Sequence, residues 1–147
     1  MFTRYGAEYV LREKEIGSIE TGKLADWWTA DDAKNYLERA KIVEDQYSAY
    51  TVLDSLHVNG KLTLGENIAD LGGLKLSYLA YKSAHKDAPA VGSFTPDQQF
   101  FLGYAQAWCQ NARPQYRAML TKVDPHSPPM WRVNGPVSNM PEFASAF

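Results

Sequence analysis

The sequence predicts a mainly α domain, on three observations. Apolar residues recur every three to four positions in several segments, helix-start signatures precede those segments, and no stretch alternates apolar with polar as a half-buried strand would. The 147 residues are 45% hydrophobic and 13% aromatic, enough for one domain with its own core. No internal repeat or low-complexity stretch divides it.

The segment before Trp27 is the least periodic. Residues 7–15 read as a charged helix, and Gly17 and Gly22 with their polar neighbours as a loop. From Trp27 the signals sharpen. Thr29-Ala30-Asp31-Asp32 is a helix start, with Thr29 as N-cap and acids in the first turn. That helix runs to about Tyr50 and turns Ala33, Leu37, Ala40, Val43 and Tyr47 toward a core. His57-Val58-Asn59-Gly60-Lys61 is a turn. A second helix opens near Gly65 and ends near His85, with Thr63-Leu64-Gly65-Glu66 as a capping box. Its apolar residues (Ile68, Leu71, Leu74, Leu76, Tyr78, Leu79, Tyr81) cover more than one face, which predicts burial all round. After a loop from Pro89 to Gly92, Thr95-Pro96-Asp97-Gln98 starts a third helix. Phe101, Tyr104 and Trp108 form one stripe of it, and Phe100, Gly103 and Ala107 another. Pro114 opens a short helix through Met119. Pro125, Pro128, Pro129 and Pro136 predict an irregular segment, followed by a last helical turn within 138–146.

Composition narrows the functional classes. A net charge of −2 does not point to nucleic acid or to an anionic membrane surface. No apolar run approaches the roughly 20 residues needed to span a bilayer, and the first residues lack the apolar core of a signal peptide. The single cysteine, Cys109, excludes an internal disulfide and a cysteine-rich metal site. His57, His85 and His126 lie far apart, with no pair at helical ligand spacing, so these residues alone do not build a zinc site of the usual kind.

The chemistry concentrates in Glu66-Asn67-Ile68-Ala69-Asp70-Leu71-Gly72-Gly73. Glu66 and Asp70 are four apart, so both carboxylates leave one helix face amid apolar surroundings. Each glycine costs roughly 1 kcal/mol in mid-helix relative to alanine, which suggests close approach of another backbone. By spacing alone, Glu66 could merely favour the helix dipole and Asp70 be solvated.

The stretch from Val58 to Leu74, with Leu64-Gly65-Glu66-Asn67-Ile68-Ala69-Asp70 and Gly72-Gly73 at its centre, resembles the third-ligand helix of the neprilysin and endothelin-converting-enzyme family of zinc metallopeptidases. The resemblance implies that Glu66 binds zinc and that Asp70, one turn on, orients a zinc-bound histidine. Trp27-Trp28-Thr29, Asp32-Ala33 and Asp45-Gln46-Tyr47 resemble the segment after the family's H-E-x-x-H helix. Phe100-Phe101-Leu102 with Tyr104-Ala105-Gln106, Trp108-Cys109 and Arg113-Pro114 resembles the helix beside the primed-side pocket, with Ala107 and Trp108 in substrate-lining positions. Asp124-Pro125-His126-Ser127-Pro128 and Arg132 resemble the segment of the transition-state histidine and the substrate-carbonyl arginine. His57 and His85 gain no such support and read as surface or turn residues. The resemblance covers about residues 22–147, leaving 1–21 as a divergent segment. It implies the C-terminal part of a thermolysin-like catalytic lobe that acts on peptides in an extracytoplasmic setting.

The pattern also breaks. Alignment on the Trp-Trp block puts H-E-x-x-H at Tyr5-Gly6-Ala7-Glu8-Tyr9, where neither histidine nor the general-base glutamate stands. The cysteine that pairs with the Cys109 position in the family is Ile42 here, which implies a free, buried thiol. The chain stops short of the family's C-terminal stretch and has no cleft-capping helical domain. The expectation is therefore a truncated zinc endopeptidase fragment, inactive alone, that does not hold zinc by itself. An incompletely covered core invites a homo-oligomer or swapped dimer. The rival readings are a non-catalytic peptide-binding module and a half-enzyme complemented by another chain.

Overall fold

A computed structural model describes residues 29–85 and 89–147. The expected charged helix at 7–15, the loop at Gly17–Gly22, the Trp27-Trp28 pair and the Tyr5–Tyr9 segment lie outside the described residues. Helices α1 (Ala30–Ser48), α2 (Leu64–Ala84), α3 (Pro96–Ala107), α4 (Pro114–Val123), α5 (Pro129–Ser138) and α6 (Pro141–Ala146) follow in chain order. A small hairpin, β1 (Thr51–Leu53) with β2 (Leu56–His57), stands between α1 and α2. The chain divides after Arg39 into two compact units. The described part of the first is Thr29 with the beginning of α1. There Thr29 Oγ1 accepts from the Asp32 N–H at 3.0 Å while the Asp32 carboxylate accepts from the Thr29 hydroxyl at 2.7 Å, a reciprocal cap. Leu37, expected to face the core, is exposed.

In the second unit, Ala40–Phe147, two apolar clusters organise the packing. Leu74 and Tyr78 of α2, Phe101 of α3, Val137 of α5 and Met140 form one, with Phe100, Tyr104, Phe143 and Ala146 packed against it. Tyr78 and Phe101 stack at 5.4 Å, and Phe143 meets Phe101 edge-on at 5.2 Å. Tyr47, Val52 and Val58 form the other, joined by Val43, Tyr50, Leu53 and Trp131. Helix α5 is shared, giving Val137 to one cluster and Trp131 to the other.

Several expectations change. The hairpin was not foreseen, because strands of three and two residues are too short for alternation to register; they pair antiparallel, Leu53 with Leu56. Helix α2 buries one face only: Leu74 is 3% exposed, but Leu76 is 69% and Leu79 51% exposed. No capping box forms at its start, since Thr63 makes no side-chain cap bond and its hydroxyl donates instead to the Asn59 carbonyl. Among the described residues nothing lies within 4 Å of a Cβ built on Gly72 or Gly73, so no backbone approaches there. Helix α4 runs four residues past Met119.

The proline-rich segment is the largest departure. Pro129 opens a ten-residue helix rather than breaking one, because a first-position proline lacks an N–H that would go unpaired in any case. Pro136 sits inside that helix and cannot donate to the Arg132 carbonyl four residues back; the Tyr104 hydroxyl of α3 donates to it instead, at 2.6 Å. Cys109 is free, as expected, but exposed rather than buried, since it lies just past the end of α3. The Thr95–Gln98 capping box forms as the sequence predicts.

Candidate active site

Glu66 and Asp70 leave the first turns of α2 on one side, yet meet different surroundings: their side chains are 42% and 11% exposed. Two residues from the other end of the chain reach them. Arg132, in the first turn of α5, grips Asp70 with two bonds, Nε to Oδ2 and Nη2 to Oδ1, each 2.7 Å. Its guanidinium sits over the Trp108 ring, Cζ 4.0 Å from the centroid. The carboxylate beside it keeps the guanidinium charged even further up the pH scale than usual.

His126 occupies the loop between α4 and α5. Its Nε2 lies 3.3 Å from Glu66 Oε2, and Arg132 Nη2 approaches the same oxygen at 3.7 Å. Its other nitrogen, Nδ1, sits 2.7 Å from Asp124 Oδ1, which also accepts from the His126 backbone N–H at 2.9 Å. That backbone bond, then the ring contact, hold the Asp124 carboxyl below its ordinary range. An acid two residues before a histidine is the local signal that could have marked this pair. Tyr104, whose hydroxyl anchors the Arg132 carbonyl, has its own ionisation pushed up to about 12, chiefly by burial.

Of the residues expected at the site, the structure brings together Glu66, Asp70, Trp108, His126 and Arg132. Ala107 ends α3 and is exposed. The partner of Asp70 is Arg132, a pairing across 62 positions that no local pattern signals. Each Asp70 oxygen keeps a second lone pair, so the pairing leaves room for an imidazole donor. Glu66 is a carboxylate of the kind zinc takes, but among the described residues no group of three His, Cys, Asp or Glu side chains could hold a metal ion. The residues present fit one corner of a zinc site rather than a whole one. No helix among the described residues is long and apolar enough to cross a membrane.

The chain is a member of peptidase family M13, whose profile matches residues 10–147. It is 44% identical over 133 residues to an endothelin-converting enzyme homolog of Locusta migratoria, and 42% identical over 134 residues to neprilysin-1 of Caenorhabditis elegans. These alignments cover 87% and 86% of this chain but 18% of each relative. Its fold is similar to that of the Mycobacterium tuberculosis zinc metalloprotease Zmp1 in complex with an inhibitor, with a TM-score of 0.79 and 42% identity. That match covers 85% of this chain and 20% of the other.

Proposed function

We propose that this chain is the part of a neprilysin-like zinc endopeptidase that supplies one zinc ligand and the transition-state side of the cleft. In this reading Glu66 is the ligand, while His126 and Arg132 stabilise the developing oxyanion and hold the substrate carbonyl. The observation that carries it is convergence: His126 and Arg132, from the loop and first turn after α4, meet at Glu66 on α2. Zinc, when bound, supplies the Lewis acid that makes water a nucleophile at neutral pH. The chain's own residues do the positioning. Asp70 and Trp108 fix the edge and the face of the Arg132 guanidinium, and Asp124 fixes one nitrogen of His126 so that the other faces Glu66.

Neither zinc-binding histidine nor a general-base glutamate in an H-E-x-x-H motif occurs in these 147 residues. The chain alone is therefore inactive and holds zinc weakly. A purified H-E-x-x-H segment from a family relative, added in trans, is expected to create stoichiometric zinc binding and peptide hydrolysis, both lost on Glu66→Ala. Stoichiometric zinc held below micromolar by the isolated chain, or zinc binding indifferent to Glu66→Ala, would defeat the proposal.

A second reading, a metal-free peptide-binding module, rests on Arg132 being held by two side chains of this chain, Asp70 and Trp108. Peptide binding by the isolated chain that disappears in Arg132→Ala would select it. Exposed Leu76 and Leu79 on α2 are consistent with self-association, which sedimentation at several concentrations tests directly.

A further inference from the structure

The separation between His126 and Glu66 needs a structural cause beyond Asp124, which orients the histidine within its own loop but does not tie that loop to α2. Pro125 and Pro128 leave it two backbone positions without an N–H. Apart from the His126–Glu66 contact, one polar link joins residues 124–128 to α2 among the described residues. It is the Ser127 hydroxyl donating to Asn67 Oδ1 at 2.7 Å. Asn67 Nδ2 donates onward to Thr63 Oγ1 at 2.9 Å, and the Thr63 hydroxyl donates to the Asn59 carbonyl at 3.0 Å.

Every bond in this chain runs the same way, and the three side chains in it are almost fully enclosed, while the chain ends on the carbonyl of exposed Asn59. Ser127 is 3% exposed, Asn67 1% and Thr63 2%. Burying an amide and two hydroxyls is costly unless each is satisfied, and an apolar residue at position 67 would fill the same space without that demand. The Thr63 hydroxyl gives its proton to the Asn59 carbonyl, so toward Asn67 it can only accept, which leaves the amide oxygen to accept from Ser127. Asn67 directly follows Glu66, and Ser127 directly follows His126. A bond between the second members of the two pairs fixes the distance between the first members.

We infer that Asn67 is a positioning residue, a buried latch through Ser127 that holds His126 at its working distance from Glu66. The inference deepens the peptidase reading and rests on it for its catalytic meaning, but its geometric content does not need that reading. Asn67 is almost fully enclosed, so it acts through the loop.

The test uses the isolated full chain, without zinc or a complementing segment, so that its failure is separable from failure of the peptidase reading. The His126 ring resonances are recorded at one fixed pH with and without Glu66→Gln. In the native chain the substitution is expected to shift them, reporting the 3.3 Å contact. In a Ser127→Ala background the same substitution is expected to leave them unmoved, while cooperative urea unfolding persists. Ser127→Thr, which retains the hydroxyl, is expected to restore the response. Asn67→Leu is expected to behave like Ser127→Ala; if it fails to fold, the serine variants carry the test unaided. A Glu66→Gln shift of equal size with and without the Ser127 hydroxyl overturns the latch.

Discussion

Tyr104→Phe removes one hydroxyl and leaves the Arg132 carbonyl without a partner, because Pro136 has no N–H to return to it. An unpaired buried carbonyl costs about 1–3 kcal/mol. Tyr104 is half-buried, so water reaches part of the site, and a loss of about 1.5 kcal/mol is expected. The reasoning is sharpened by making the same change in a Pro136→Ala background. There residue 136 regains an N–H aimed at the Arg132 carbonyl, so the tyrosine becomes dispensable and its removal costs less than about 0.5 kcal/mol. Pro136→Ala has its own cost, since Pro136 is among the most enclosed side chains, but that cost cancels in the comparison. The assay is urea unfolding of the four proteins at neutral pH. A coupling of about 1 kcal/mol exceeds the usual error of such a cycle. If Tyr104→Phe costs the same in both backgrounds, the hydroxyl is not the substitute for the missing helical bond, and the argument fails.

Further outcomes follow from neighbouring features. Asp70→Asn strips the countercharge from a guanidinium only 15% exposed and is expected to cost about 2–3 kcal/mol in urea unfolding, moderated by Glu66 at 3.7 Å. Adding Arg132→Met to that variant should recover part of the loss; no recovery would mean the penalty is not an unpaired charge. A Cβ on Gly135 would fall inside the ring end of Tyr47, so Gly135→Ala should destabilise by about 1–3 kcal/mol, also read by urea unfolding. Burial raises the Tyr104 ionisation from 10.0 to about 12, so its neutral form is favoured by folding. That contribution is complete below pH 10 and is lost as pH rises through about 12. Tyr104→Phe should therefore flatten the alkaline limb of the stability profile, leaving the slope to groups such as Tyr47 and Tyr78, which burial also raises.

What could be read from the sequence was what chemistry encodes within a few residues. Thr95 and Gln98 announce a helix start because both halves of the capping box lie within one turn, and the box forms. Glu66 and Asp70 share a side of one helix because four positions make one turn. Thr63 carried a similar signature and misled, since its hydroxyl is held by Asn59 and Asn67. Pro129 and Pro136 were read as breakers because their effect depends on position within a helix and on a hydroxyl from α3. Apolar residues on more than one face of α2 predict burial of Leu76 and Leu79, but which side of the helix is covered depends on elements remote in sequence. The grip of Arg132 on Asp70 spans 62 positions, a distance over which only the complete fold decides who meets whom.

The paired hydrogen bonds of Arg132 to Asp70 and its seat on Trp108 bear on the entropy of recognition. A free arginine side chain carries roughly 2 kcal/mol of rotamer freedom, which a partner must suppress before it can use the guanidinium. Here folding has already suppressed most of it, with one edge and one face of the group committed before any peptide arrives. In the peptidase reading proposed above, an incoming carbonyl would meet a donor whose direction is settled in advance, so little of its binding energy would be spent on ordering the protein.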